Sequence, residues 1–457
     1  MKNLLFTLIM LLTALFGQAQ GIIGSWKGEI QAAGIKLPLV FHIRQEGENY
    51  AATLDSPLQK ATGIVVDKSE YTAPLLTLTI SKLGASYQGE LKGDSIIGVF
   101  RQSGLEMPLV LQKSDANNAV NRPQEPKAPF SYKTEDVVFI NEVSGNKLAG
   151  TLTLPETGSD FPVAILISGS GPQNRDEEIL AHRPFLVLAD YLTRNGIAVL
   201  RYDDRGVGQS EGNYKTASLC DFTSDGVAAL NYMKTRKEIN PKQIGIIGHS
   251  EGGTIGFKIA ATNASDVAYV VSMAGMAIPG DSLLIEQRYM LDKANGMSDA
   301  MIAQNEQMIK MIENIIVKYP TDSINNHFDV IADTELPEAL KQNPAVIGAI
   351  KKVVTQMISP EIQSLLSCNP TEALAKISCP VLALNGAKDL QVGADRNLSR
   401  IRSLVKAPVT LRKFENLNHL FQNCKTGLPN EYGEIEETLS PDVLLEIKNW
   451  ITTTLNQ

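Results

Sequence analysis

Cysteine is scarce. The four in 457 residues, at positions 220, 368, 379 and 424, are too few and too scattered for a disulfide framework and read as buried free thiols. There is no C-x-x-C pair and no cluster of histidine with cysteine, and the five histidines are dispersed. The chain therefore calls for no metal and no cofactor. The adjacent Asp203 and Asp204 are followed by Arg205-Gly206 and read as a structural pair rather than as metal ligands. Basic tracts are also missing. A net charge of -8 and a sequence pI near 5.4 exclude nucleic acid and anionic membrane as main partners, because phosphate binding needs concentrated Lys and Arg. No internal repeat is visible.

The N-terminus begins Met1-Lys2-Asn3, continues with an apolar stretch from Leu4 to Phe16, and closes with Gly17-Gln18-Ala19. A stretch of about 13 residues is short of the roughly 20 that cross a bilayer. A charged start, a short apolar core and small residues describe an export signal over 1–19, cut after Ala19. The expectation is a periplasmic or extracellular protein with no integral membrane span once the signal is removed. No cysteine follows the small residues to carry a lipid.

Apolar residues make up 43% of the chain, enough for one large core and a smaller one, so two folded units are expected. In residues 20–113 Leu37, Leu39, Phe41 and Ile43 alternate with Pro38, Val40, His42 and Arg44. Further short strands are expected at Leu76 to Ile80 and Ile96 to Phe100. Strands with a one-sided apolar face must close on themselves, which gives a small all-β barrel or sandwich with His42 facing outward. From 114 to 130 the chain turns polar, with Pro123, Pro126 and Pro129, and reads as an extended linker. Residues 131–457 then show opening antiparallel strands near Val137 and Leu148 and an alternation of apolar strands with helical segments. The fold class is α/β, a doubly wound and mostly parallel sheet. A stretch from about 281 to 375, rich in Leu, Ile and Met at helical spacing, interrupts that alternation as a helical cap inserted over the carboxyl ends of the strands. Its methionines, Met290, Met297, Met301, Met308 and Met311, read first as packing between cap helices and second as an adaptable apolar pocket.

The chemistry is written at Gly248-His249-Ser250-Glu251-Gly252, between the apolar run Gln243 to Ile247 and a helical segment. A G-x-S-x-G pentapeptide is a weak signal alone, but between strand and helix it reads as a nucleophile elbow with Ser250 exposed at the turn. A serine hydroxyl is a poor nucleophile until an imidazole takes its proton, and the imidazole needs a carboxylate to fix its tautomer. Asp389 lies just beyond the strand Pro380 to Gly386, and His419 follows the strand Val409 to Phe414. Serine, aspartate, histidine is the chain order of α/β-hydrolases. The backbone N–H of Glu251 supplies one oxyanion donor. The second is assigned to Ser170, in Ser168-Gly169-Ser170-Gly171-Pro172 after the strand Val163 to Ile167; Gly171 lies one register away, since sequence does not fix which amide points inward. His249 reads as a packing or hydrogen-bonding neighbour, and His182 as a residue at the border of the site.

With these motifs the chain resembles the secreted bacterial α/β-hydrolases of the EstD-like carboxylesterase group, also labelled serine aminopeptidase-like. The resemblance rests on Ile167 to Asp176, Arg201 to Ser210, Gly248 to Gly253, Gly386 to Val392 and Asn416 to Phe421, and covers about residues 130–457. Ser168 stands where many α/β-hydrolases carry histidine before the oxyanion glycine. The resemblance implies a serine hydrolase that cleaves carboxylic esters through an acyl-enzyme, acting on a small-molecule ester or acyl substrate. An exopeptidase using the same catalytic set, with an acidic anchor for the substrate amine, is the alternative. A noncatalytic envelope-binding protein is a third reading, which the intact set of Ser250, Asp389 and His419 argues against. The oligomeric state is not legible.

Overall fold

The computed structural model describes residues 21–32, 35–46, 49–56, 61–102, 104–114 and 121–456. The expected export signal and the linker residues 115–120 lie outside them. The chain divides into two compact units between Asn121 and Arg122.

In the first unit, strands β1 (Gly24–Ala32), β2 (Ile35–Glu46), β3 (Asn49–Ser56), β4 (Ala61–Val66), β5 (Lys68–Thr72), β6 (Leu75–Ile80), β7 (Ala85–Lys92), β8 (Ser95–Gln102) and β9 (Leu105–Ser114) form one antiparallel sheet among the described residues. The order β4-β3-β2-β1-β9-β8-β7-β6-β5 is a meander folded back so that β9 pairs with β1. The sheet is barrel-like because its alternating apolar residues need a common interior. Trp26, Phe41, Leu78, Tyr87, Phe100 and Leu109 fill it, with Phe41 stacked on Tyr87 at 5.7 Å between ring centroids. The buried indole N–H of Trp26 donates to the Ile22 carbonyl, as a buried donor must.

The second unit contains β10 (Tyr132–Ile140), β11 (Lys147–Pro155), β12 (Phe161–Ile167), β13 (Ala198–Tyr202), β14 (Ile239–His249), β15 (Tyr269–Met273), β16 (Val381–Gly386) and β17 (Val409–Phe414). Their order is β10-β11-β13-β12-β14-β15-β16-β17. The first two pairings, β10 with β11 and β11 with β13, are antiparallel and the rest parallel. The central strands β13, β15 and β16 are buried along their whole length, which is why they read as continuous apolar runs. Helices α1 (Pro184–Arg194), α2 (Leu219–Thr235), α3 (Glu251–Thr262), α11 (Ala394–Leu404) and α12 (Pro441–Leu455) belong to the α/β body. The insertion carries α4 (Gly280–Ala294), α5 (Asp299–Lys318), α6 (Thr321–Glu335), α7 (Glu338–Lys341), α8 (Pro344–Met357), α9 (Pro360–Leu366) and α10 (Thr371–Lys376). This cap has an apolar cluster of its own, including Ile315, Ile324, Phe328 and Val354, and Met308 and Met311 pack against it. Met301 is exposed. Met308 and Met311 serve cap packing.

Two expectations change. The proline-bearing stretch expected as a spacer is packed onto the second unit from Arg122 onward. The Arg122 guanidinium donates to the carbonyls of Leu180, Ala181, Gly433 and Ile435 at 2.6 to 3.3 Å, and Gln124 bridges to residues 438 and 439. The four cysteines are free, but only Cys368 and Cys379 are buried; Cys220 is exposed, on the second residue of α2.

The Asp203-Asp204-Arg205-Gly206 motif sits just past β13 and ties the sheet to its neighbours. Arg205 donates to both carboxylate oxygens of Asp225 at 2.6 and 2.8 Å and to Asp221 at 2.9 Å. Arg175 clamps Asp203 from two nitrogens. Asp225 is 2% exposed, so Arg205→Leu strands a buried carboxylate. The expected cost is about 3–5 kcal/mol, read as a lower urea midpoint with an unchanged slope.

Candidate active site

Strand β14 runs to His249, and α3 begins at Glu251, leaving Ser250 alone to turn the chain. Its backbone has φ 53° and ψ -120°, a conformation that costs a non-glycine residue of order 1–3 kcal/mol. The flanking glycines make the turn possible. A Cβ on Gly248 would lie 2.1 Å from the Gly252 carbonyl oxygen, and one on Gly252 would lie 2.1 Å from that of Ile167. The strained serine is partly exposed, and among the described residues its hydroxyl has no protein hydrogen-bond partner.

Asp389 follows β16 and is buried, its side chain wholly so. One carboxylate oxygen accepts from the N–H groups of Gln391 and Val392, both at 2.8 Å. The other faces His419 Nδ1 at 2.8 Å and accepts from Asn385 Nδ2 at 3.2 Å. With Asp389 ionised, His419 carries its proton on Nδ1, which leaves the Nε2 lone pair to take one from elsewhere. The loop holding His419 folds against the end of β16: a Cβ on Gly386 would lie 2.1 Å from the Leu417 carbonyl oxygen. Asn418 stabilises that loop by accepting from Leu420 and Gln422.

The loop after β12 lies beside Ser250, since a Cβ on Gly169 would meet Ser250 Cβ at 3.3 Å. Its polar groups are largely committed. The Ser168 hydroxyl donates to Asp204 at 2.8 Å, Gly169 N–H to Glu177 at 2.7 Å, and Gly171 N–H to Glu361 at 2.9 Å. Among the described residues the Ser170 N–H donates to no protein group. Glu251 N–H, first in α3, has no partner one turn back. Of the two amides left open by sequence reading, Gly171 is therefore engaged by the cap residue Glu361, whose same oxygen also accepts from the Tyr214 hydroxyl at 2.5 Å.

Sequence reading named Asp204 and Glu251 in other roles but did not bring together the carboxyl groups around this loop. Glu177, Asp204, Glu251 and Glu361 come from four separate segments and are all buried. A small recess is lined by Gly169, Gly171, Asp204, Tyr214 and Glu251, among others. Burial, with Glu361 and Asp204 nearby, pushes the Glu251 carboxyl up to about 8. Burial does the same to Asp204, also to about 8, against hydrogen bonds from Gln173 and Ser168. Among the described residues one Glu251 oxygen, Oε2, is buried without a hydrogen-bond partner. No spacing pattern in the sequence flags these residues.

The remaining histidines separate by environment. His182 is fully buried, bonded to Thr438 Oγ1 and the Tyr432 carbonyl at 2.9 Å each, and burial lowers it to about 4. It is structural rather than at the border of the site. His249 bonds Glu177 and the main chain of His419. In the first unit His42 stands between Ser25 Oγ at 2.8 Å and Asp55 at 2.9 Å. Ser25 pairs with both β2 and β9, so among the described residues its neighbours' amides serve sheet ladders.

An exposed hydroxyl at a strand-to-helix elbow, an imidazole backed by a buried carboxylate, and free amides beside them, at the carboxyl edge of a mostly parallel sheet, define an α/β-hydrolase. Residues 183–423 match the family described as serine aminopeptidase, S33. The chain belongs to that family, an esterase-like branch of the hydrolases. It is 24% identical to esterase EstD of Thermotoga maritima over 71% of this chain and 68% of that protein. It is 27% identical to the uncharacterized protein YfhR of Escherichia coli K12, over 35% of this chain and 57% of YfhR. Among solved structures, the α/β hydrolase GrgF of Penicillium sp. sh18 covers 71% of this chain at 18% identity and a TM-score of 0.45. Among the described residues, no helix is long and apolar enough to cross a membrane and no group of His, Cys, Asp and Glu is arranged to hold a metal ion.

The raised carboxyl of Glu251 fixes a pH dependence. In the unfolded chain it ionises near 4.5, in the folded chain near 8. Between those values the unfolded state releases a proton that the folded state keeps, so stability falls as pH rises through the window. Glu251→Gln removes this penalty. Its melting temperature, measured against wild type, should match at pH 4 and be higher by roughly 3–6 °C at pH 8.5.

Proposed function

We propose that the protein hydrolyses carboxylic esters of small molecules through an acyl-enzyme on Ser250. The observation that carries this reading is the buried Asp389, which holds His419 Nδ1 at 2.8 Å and leaves Nε2 as the proton acceptor of a site whose serine sits on a strained elbow. His419 Nε2 takes the hydroxyl proton as Ser250 Oγ bonds to the acyl carbon. The carbonyl oxygen, now anionic, is held by the amides of Glu251 and Ser170. Collapse of the tetrahedral adduct breaks the bond to the alcohol oxygen, which receives the proton from His419. Water, deprotonated by the same imidazole, then attacks the acyl carbon and releases the acid and Ser250. The Asp389 carboxylate orients the ring. The similarity to an esterase in Thermotoga maritima supports the ester class.

A second reading, release of an N-terminal amino acid, draws on the unpaired Glu251 oxygen and the neighbouring Asp204 and Glu361. An ammonium group entering the recess would lower the raised carboxyl groups and ionise them against itself. It also draws on the description of the matched family.

Ser250→Ala should fold as wild type, lose fluorophosphonate labelling and lose p-nitrophenyl acetate turnover by at least about 10³-fold. Comparable rates in the pure variant reject the nucleophile. Short-chain acyl esters and aminoacyl-naphthylamides assayed side by side separate the two readings: a higher kcat/KM for the esters is expected, and the reverse order selects the peptidase.

A further inference from the structure

Glu177 and His249 take no part in the mechanism above, yet they touch both of its halves. Glu177 Oε1 accepts from the Gly169 N–H at 2.7 Å and faces His249 Nδ1 at 2.9 Å. His249 Nε2 faces the main-chain carbonyl of His419 at 2.9 Å. The rings of His249 and His419 lie 4.8 Å apart between centroids. Phe185, Leu188, Phe421 and Leu439 wall off the other side, and the side chains of His249 and Glu177 are only 8% and 6% exposed.

The proton count of this chain of contacts is fixed by its acceptors. A carbonyl can only accept, so His249 Nε2 carries a proton. A neutral imidazole would then present the Nδ1 lone pair to an ionised carboxylate oxygen, two acceptors face to face at 2.9 Å. The contact is a hydrogen bond only if one more proton is present, either on Nδ1 or on Glu177. The pair therefore holds a shared proton. Burial pulls the His249 imidazolium down, but the charge and hydrogen bond of Glu177, the His419 carbonyl and the charge of Asp389 outweigh it and hold His249 above its ordinary value. The titratable groups facing His249 are Glu177 from the loop after β12, Asp389 from the loop after β16 and His419 from the loop after β17. Asp204 is in turn within electrostatic reach of Glu177.

We propose that Glu177 and His249 are positioning residues, a buried proton-sharing pair that locks the oxyanion loop at Gly169 to the backbone of the catalytic base at His419. The inference rests on the proposed function and deepens it. The oxyanion loop at Gly169 and the base at His419 are about 250 residues apart in sequence, and in-register contact between them is worth a great deal. A displacement of about 1 Å at such a site costs about 100-fold in rate. Glu177→Gln keeps the shape and the bond from Gly169 but removes the charge that holds the extra proton, so His249 gives up one of its two contacts. His249→Gln cuts the connection outright and leaves an ionised carboxylate uncompensated near His419.

The test uses the full chain, with kcat and KM for p-nitrophenyl acetate measured from pH 5 to 9 and active sites counted by fluorophosphonate. Both variants should still label Ser250 stoichiometrically. Each should lose about 10- to 100-fold in kcat, with KM within about threefold. The double variant should be no slower than the slower single one, because one connection is cut either way. In His249→Gln the acid limb of the pH profile should move up by about half a unit or more, since the freed negative charge favours protonated His419. A pair that only stabilises the fold would lower the melting temperature and leave kcat per labelled site and the acid limb in place, and that result overturns the proposal. Where His249→Gln does not fold, Glu177→Gln decides on its kcat alone. Full turnover in Ser250→Ala overturns the underlying function and this inference with it, whereas a dead Ser250→Ala beside two unimpaired variants overturns the inference alone.

Discussion

The close approach of α3 to the end of β12 is the constraint on which the candidate site depends. Gly252 lies so near the carbonyl of Ile167 that no Cβ fits between them, and Gly248 is equally crowded by the first turn of the same helix. With both positions stripped of side chains, the helix starts against the sheet and the oxyanion loop passes directly beside Ser250. Its start also leaves N–H groups without helical partners, which gives the loop and the helix a common electrostatic target for a developing negative charge. The strained backbone of Ser250 follows from that geometry: one residue must reverse the chain, and the parallel pairing of β14 with β12 and β15 prevents the strand from yielding.

Much of this was legible in the sequence because it is written in backbone requirements. Glycines at 248 and 252, apolar runs ending at Ile167, Met273 and Gly386, and the order of Ser250, Asp389 and His419 each state a local need that only one kind of element meets. The alternation in residues 37–44 likewise announced a one-sided sheet. What could not be read were pairings with no local signature. Glu177 looks like one more charge in a polar loop until it is seen to accept from an amide eight residues earlier and to face a ring 72 residues later. Glu361 belongs to a cap helix of seven residues, and its oxygen finds Gly171 only through tertiary packing. Arg122 binds four main-chain carbonyls, acceptors that every residue carries, so its sequence neighbours gave no hint that the segment was anchored.

The carboxyl groups gathered at the oxyanion loop show how burial reassigns the meaning of charge. In sequence, Asp204 and Glu251 count toward a net negative chain. In the folded protein both are held up to about 8, so at neutral pH they are largely protonated and the recess is less anionic than its composition. Asp389 is equally buried but accepts three hydrogen bonds, from Asn385, Gln391 and Val392, and faces the imidazole of His419. These acids differ in the donors supplied rather than in depth: N–H groups replace the water that a buried carboxylate has lost.

Two costs fall side by side at the elbow: the backbone of Ser250 and the unpartnered oxygen of Glu251. Each runs against the local consistency that the rest of the second unit displays, where buried strands such as β13, β15 and β16 pack under helices. A chain can carry such local penalties only if the surrounding structure fixes the conformation more firmly than the penalty opposes it. Here the fixing elements are β12 and β15, paired with β14 on either side, and the glycine contacts beneath the helix. Relaxing the elbow would require β14 to leave its register with β12 or α3 to lift off the Ile167 carbonyl. The strain is therefore confined to the residues whose exposure and electrostatics the proposed chemistry uses, and stability and reactivity at this rim are set by the same few interatomic distances.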